Sequence, residues 1–148
     1  MSQVTVRDAQ EDEFELWYPL WRGYQGFYKT NIPIEVSRVT WQRFFSPTEP
    51  MHCAFVEADG VVCGLVHSID HRSCWTIEPS CYLQDLFVDP ARRGHGLGRR
   101  LIEHVYKQAA ARGCVKVHWL THETNLEAMK LYDRIAEKPG FVQYRKAL

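Results

Sequence analysis

YLQDLFVDPARRGHGLGRRL, running from Tyr82 to Leu101, divides into three pieces of different character. Tyr82 to Val88 is apolar and rich in β-branched and aromatic residues, which predicts a buried strand. Asp89-Pro90 ends it, because proline has no N–H to give a ladder and fixes its own φ. Arg93-Gly94-His95-Gly96-Leu97-Gly98 follows. Beyond it Leu97, Leu101, Val105 and Ala109 recur at every fourth position with Ile102 beside them, a spacing that predicts a helix. The order is strand, glycine-rich loop, helix. Glycine lets the backbone adopt positive φ and approach a ligand closely. The first turn of a helix adds free N–H groups and the positive end of the macrodipole. The combination suits a phosphate or pyrophosphate, and Arg92, Arg93, Arg99 and Arg100 surround it with positive charge.

The kind of phosphate ligand follows from what the loop lacks. A nucleotide-hydrolysing loop ends in Gly-Lys-Ser/Thr, whereas this one ends Gly98-Arg99-Arg100. A dinucleotide fold places Gly-x-Gly-x-x-Gly after its first strand, with an acidic residue about 20 positions on. Here the glycines are spaced Gly94-x-Gly96-x-Gly98, late in the chain. The pattern Arg93-x-x-Gly96-x-Gly98 resembles the acyl-coenzyme A loop of the GNAT superfamily of N-acetyltransferases. A second block, Asn125, Ala128, Leu131-Tyr132, Arg134 and Gly140-Phe141, is similar to that family in the same order. The likeness covers most of the chain and is strongest from Tyr82 to Tyr144. YLQDLFV, with WYPLWRGYQGFY near the start, is most similar to the polyamine and histone acetyltransferase branch.

That resemblance implies an α/β (α+β) fold in one domain over residues 1–148. It would have a mixed sheet of about six to seven strands flanked by about four helices. It also implies a splayed strand pair that holds acyl-CoA, and a homodimer.

Composition bounds the reading independently. A chain of 148 residues, 45% hydrophobic and 24% charged, is long enough for one well-packed domain. The formal net charge is +0 and no basic run lies outside the glycine loop, which argues against a nucleic-acid partner. No apolar run approaches a membrane span, and the N-terminus does not read as a secretory signal. Cys53, Cys63, Cys74, Cys81 and Cys114 are odd in number and lack a Cys-x-x-Cys pair, so they read as reduced thiols with no metal site. The expectation is a cytoplasmic protein.

Along the chain, Val4-Thr5-Val6 reads as a short strand and Asp8 as the cap of a first helix. That helix carries Phe14, Trp17, Leu20 and Trp21, with Pro19 expected to kink or break it. Tyr24 and Tyr28 continue its apolar face, and their hydroxyls suit either the core or a substrate cleft. Pro33 opens a second helix that stops before Pro47. Asp59-Gly60 predicts a hairpin between His52–Glu57 and Val61–Ser68. His52, His67 and His71 lack a metal-ligand spacing and read as surface or cleft residues. Arg112-Gly113 ends the helix that opens at Gly96. Val115 to Leu120 and Phe141 to Arg145 read as strands, and Thr124 as the cap of a helix from Asn125.

Acyl transfer from a thioester to an amine requires a held donor, a polarised carbonyl, a base for the amine and an acid for the thiolate. The resemblance assigns the donor's phosphates to Arg93, Gly94, His95, Gly96, Leu97, Gly98 and Arg99. It assigns the pantetheine arm and the oxyanion contact to the backbone of Leu86, Phe87 and Val88. It makes Tyr132 the acid beside the sulfur, with Asn125 and Arg134 toward the cofactor. Tyr132 lies two helical turns after Asn125, on the same face; a core aromatic is the other use of such a residue. Polyamine enzymes of the family carry glutamate where this chain has Gln84, and a neutral amide cannot take a proton. Asp85 follows, but strand alternation points it to the opposite face unless a bulge re-aims it. Glu123, or water chains ending at His118 or His122, are the other candidate bases. The expected activity is acetyl-CoA-dependent N-acetylation of a small primary amine, polyamine- or lysine-like, without a metal. A protein lysine or N-terminal acetyltransferase and a non-catalytic acyl-CoA-binding module are the alternatives.

Overall fold

The Asp59-Gly60 dipeptide sets the first register of the sheet. In the computed structural model, which describes residues 3–148, Asp59 and Gly60 both take positive φ, 53° and 80°. That is the twist a two-residue hairpin turn requires. Strand β2 (Met51–Ala58) thus pairs antiparallel with β3 (Val61–His71), Ala58 facing Val61. Strand β1 (Val4–Asp8) lies antiparallel on β2, and β4 (Ser80–Val88) lies antiparallel on β3. A parallel neighbour needs a long crossover. Helix α3 (Leu97–Ala111) supplies it, and β5 (Val117–His118) pairs parallel with β4. The sheet runs in the order β1-β2-β3-β4-β5.

Each face of the sheet carries its own core. Helices α1 (Phe14–Phe27) and α2 (Ile34–Phe44) cover one face, where Trp17, Trp21 and Trp41 pack on Phe55, Leu65 and Phe87. On the other face Leu97, Leu101, Ile102 and Val105 of α3 pack on Val56, Val66 and Leu83. Helix α4 (Leu126–Ile135) adds Leu131, Tyr132 and Ile135 to the edge of that second core. The architecture is the α/β class read from the sequence, with four α-helices and a mixed sheet.

Several local expectations are corrected. Among the described residues the sheet has five strands rather than six or seven. Only Val117–His118 of the Val115–Leu120 run is paired, and Phe141 to Arg145 forms no strand. Phe141, Val142 and Tyr144 are exposed. Alternation alone makes no strand without a ladder partner, and a two-residue β5 offers almost none. Asp8 does not cap α1, because β1 runs through it opposite Ala54 and its carboxylate meets His104 at 3.3 Å. Glu13 occupies the cap position instead. Pro19 sits inside α1 without ending it; its missing N–H costs one backbone bond, and buried Trp17 and Trp21 on either side carry the helix through. Asn125 rather than Thr124 precedes α4, and the Thr124 hydroxyl turns to His122 at 2.7 Å. No helix among the described residues is long and apolar enough to cross a membrane.

The sheet's centre tolerates no side chain at Gly64. A Cβ there would stand 2.8 Å from Val56 Cγ1 and 2.9 Å from the Phe87 carbonyl oxygen. Gly64→Ala is therefore expected to lower stability in chemical denaturation by about 1–3 kcal/mol through overpacking. Gly26→Ala, in open space on α1, is expected to be neutral or stabilising. Equal effects at both positions would contradict this packing.

Candidate active site

A one-residue irregularity in β4 decides where its polar side chains go. His67 of β3 faces Asp85, but the next residue, Ser68, faces Leu83, so Gln84 is left over as a bulge. Before the bulge Cys81 and Leu83 point into the α3 core; after it Phe87 joins the α1/α2 core. Plain alternation would have sent Asp85 toward α3. The bulge turns it to the α1/α2 face, and leaves Gln84 exposed.

There Asp85 is buried and well supplied with partners. Its Oδ2 lies 2.8 Å from His67 Nδ1, and Trp17 Nε1 donates to His67 Nε2 at 2.9 Å. Tyr24 of α1 and Tyr28, the residue just past its end, face the carboxylate, with ring centroids 4.8 Å apart. Burial and the Asp85 charge together push both phenols above the ordinary range, Tyr24 most strongly. Tyr82, on β4 itself, is raised for the same two reasons. Tyr132 of α4 is half-buried against Trp119, and burial, then Tyr28, raises its phenol. The structure thus sets Tyr24 and Tyr28 against Asp85, while Tyr132 packs at the edge of the α3 core within electrostatic reach of Tyr28.

The glycine loop closes the neighbouring end of β4. Gly94 and Gly96 have φ of 85° and 74°, with open space where a Cβ would stand. Leu97 is buried and anchors the start of α3. The first backbone bond of the α3 entrance runs from the Arg100 N–H to the Gly96 carbonyl. Among the described residues the Leu97, Gly98 and Arg99 amides ahead of it have no backbone acceptor, an arrangement of free donors that suits an anion. His95 and Arg99 stand exposed beside it. Arg93 turns back instead: Nε donates to the Val88 carbonyl at 3.0 Å, and its guanidinium lies over Phe27 and Phe87. β4 pairs with β5 only at Cys81 and Tyr82. From Leu83 to Val88 its outer edge is open, and Leu86, Phe87 and Val88 lie along it.

Other candidates fall outside the cluster. The Asn125 amide donates to Thr121 Oγ1 at 3.3 Å, turned back toward its own loop. Arg134 is exposed on the last turn of α4. Glu123 is exposed, and His122 bonds the Thr124 amide and hydroxyl. His118 stacks on Tyr82 with its Nε2 2.9 Å from that of His71. His67, expected at the surface or in a cleft, is buried against Asp85. The available signal was its position inside the apolar run VVCGLVHS, where an unpaired imidazole would be costly.

Comparison with known proteins bears on the family and the fold. A sequence model described as the acetyltransferase (GNAT) family matches residues 9–136. The chain is 36% identical to the D-amino-acid N-acetyltransferase HPA3 of Saccharomyces cerevisiae over 147 residues, 98% of this chain and 91% of the relative. It is 26% identical over 161 residues to the thialysine N-epsilon-acetyltransferase of Mus musculus, covering 98% and 93%. Its fold superposes on the aminoglycoside N-acetyltransferase AAC(6')-Iy, solved in complex with CoA, with a TM-score of 0.82 at 20% identity, over 100% of this chain and 97% of that one.

The crowding of phenols around Asp85 is open to direct titration. An ordinary tyrosine ionises near pH ~10, and Tyr24 is held well above that. Tyr24→Phe is therefore expected to leave the rise of tyrosinate absorbance up to pH ~11 unchanged. Loss of one phenol's amplitude in that range would contradict the placement of Tyr24 against the carboxylate.

Proposed function

We propose that this chain, which belongs to the GNAT family of acetyltransferases, moves an acetyl group from acetyl-CoA to the primary amine of a small molecule by direct attack in a ternary complex. One observation carries the reading. The bulge at Gln84 turns the Asp85 carboxylate into a cleft walled by Tyr24, Tyr28 and Tyr82, on the very strand whose outer edge is open.

Acetyl-CoA supplies the thioester when bound. The residues present suit it: Gly94, Gly96 and the free amides of the α3 entrance offer a pyrophosphate cradle. His95, Gly98 and Arg99 flank the phosphates, Leu97 anchors the turn, and Arg93 braces the end of β4. The open edge at Leu86, Phe87 and Val88 offers backbone groups to the pantetheine amides and one N–H to the developing oxyanion. Asn125 and Arg134, at either end of α4, are assigned to the outer part of the cofactor.

At the other side of the sheet an ammonium acceptor meets Asp85. A carboxylate there draws the cation in and takes its proton, leaving a neutral amine with a lone pair for the carbonyl carbon. The aromatic faces of Tyr24 and Tyr28 favour the same cation. Tyr132, held protonated by its burial, gives its proton to the departing thiolate. Gln84 stands at the rim as a neutral contact. With one carboxylate instead of two at this position, a polyamine or lysine-like acceptor is recognised mainly through its reacting nitrogen. The named substrates of the relatives, a D-amino acid and thialysine, are of this small-amine class. We assign the reaction to the cytoplasm, in keeping with five unpaired thiols. We also assign the chain a homodimeric state, with the exposed β5 end and Phe141–Tyr144 as the contact.

A coenzyme A release assay over a panel of polyamines, lysine analogues, amino acids and peptides tests the reading. Turnover with a small amine is expected. Asp85→Asn is expected to lower kcat by about 100-fold or more with little change in KM for acetyl-CoA. Tyr132→Phe is expected to lower kcat at every pH tested. Full activity in either variant would remove that residue from its role.

The loop assignment has its own check in calorimetric titration with acetyl-CoA, NADH and ATP. Binding of acetyl-CoA alone is expected, and Gly96→Val, strained at φ 74°, is expected to weaken it by about tenfold or more. Unchanged affinity in the variant, or binding of NADH or ATP instead, would overturn it.

A further inference from the structure

Beneath the cleft lies a buried chain of three side chains, Trp17, His67 and Asp85, two of which have no role so far. We propose that His67 is a positioning residue for acyl transfer: through one N–H it holds the Asp85 carboxylate ionised and in place to accept the amine's proton. This rests on Asp85 being the base.

The proton's location follows from donor and acceptor chemistry. An indole N–H only donates. Trp17 Nε1 lies 2.9 Å from His67 Nε2, so that nitrogen must be bare. A neutral imidazole with a bare Nε2 carries its proton on Nδ1. Nδ1 lies 2.8 Å from Asp85 Oδ2, so it donates there. Protonating Nε2 would set two N–H donors face to face, so Trp17 holds the ring neutral and fixes its tautomer. The ring cannot escape: Trp21 and Phe44 pack against it at 4.9 and 4.8 Å between centroids, and the His67 and Asp85 side chains are only 4% and 11% exposed.

Burial strips a carboxylate of water, so its charge and orientation depend on the donors it meets. The groups facing Asp85 are Tyr24 from α1, Tyr28 just past its end, Cys53 from β2, His67 from β3 and Tyr82 from β4, with Tyr132 of α4 behind Tyr28. None of these is a permanent cation, and the Arg93 guanidinium on the same face is turned to Phe87 and the Val88 carbonyl. His67 gives a directed hydrogen bond, and with both its nitrogens engaged it does not compete for the amine's proton. The acceptor then meets the carboxylate from the side of Tyr24, whose hydroxyl also reaches it.

The test compares pH–rate profiles. His67→Phe keeps a ring but removes the donor. Its acid limb in kcat is expected to move up by about one pH unit or more, with kcat down about tenfold near neutrality and recovering at higher pH. KM for acetyl-CoA should stay near that of the unaltered chain, and His67→Gln, which restores an N–H, should recover part of the shift. A superimposable profile, or a loss equal at every pH, would overturn the inference. Asp85→Asn separates the two levels: full activity there sinks the base assignment itself, whereas inactivity beside an unshifted His67→Phe sinks only the role of His67. Imidazole nitrogen NMR on the unaltered chain needs no variant to fold. It should show one histidine with Nδ1–H and bare Nε2 at neutral pH. If none of the seven histidines holds that tautomer, the inference fails.

Discussion

A strand has two faces, and one extra residue exchanges them. The bulge at Gln84 is the constraint on which the rest of the site depends. Upstream of it, β4 sends Cys81 and Leu83 into the α3 core; downstream it sends Asp85 and Phe87 under α1 and α2. Without the extra residue a carboxylate would lie among Leu101, Val105 and Leu83, a burial no folded chain tolerates unpaired. The same residue that satisfies the core also places a charge at the floor of a cleft.

The remaining elements work around that strand. α1 and the residue just past its end supply Tyr24 and Tyr28 above Asp85, and α1 supplies Trp17 behind His67. β3 supplies His67, and closes against β4 so tightly at Gly64 that the Phe87 carbonyl leaves no room for a methyl group. α3 begins where β4 ends, so its free amides stand at the end of the open edge. One strand therefore adjoins the glycine loop, the open edge and the Asp85 face. On the proposed reading, donor and acceptor would both be positioned by that single element.

Much of this was legible in the sequence where the determinants are local. The Asp59-Gly60 hairpin, the loop from Arg93 to Gly98 and the stop at Arg112-Gly113 depend on neighbours along the chain, and each formed where it was expected. What was illegible is non-local. Whether Asp85 faces α1 or α3 depends on how β3 lies against β4, and the sequence of β4 alone leaves both open. His67 gains its partners from residues 50 and 18 positions away, Trp17 and Asp85. Asp8 and Thr124 had the chemistry of caps, yet Asp8 was claimed by the β1–β2 ladder and Thr124 by His122. Phe141 to Arg145 had the alternation of a strand but no long neighbour to pair with.

The most direct measurement is a crystal structure of the chain with coenzyme A and an amine acceptor bound together. The acceptor nitrogen should lie within hydrogen-bond reach of the Asp85 carboxylate, or one water away, with the coenzyme sulfur across the open edge of β4 beside Tyr132. A nitrogen seated elsewhere, with Asp85 still buried against His67 and no path between them, would contradict the central claim that the bulge exists to deliver that carboxylate to the reaction.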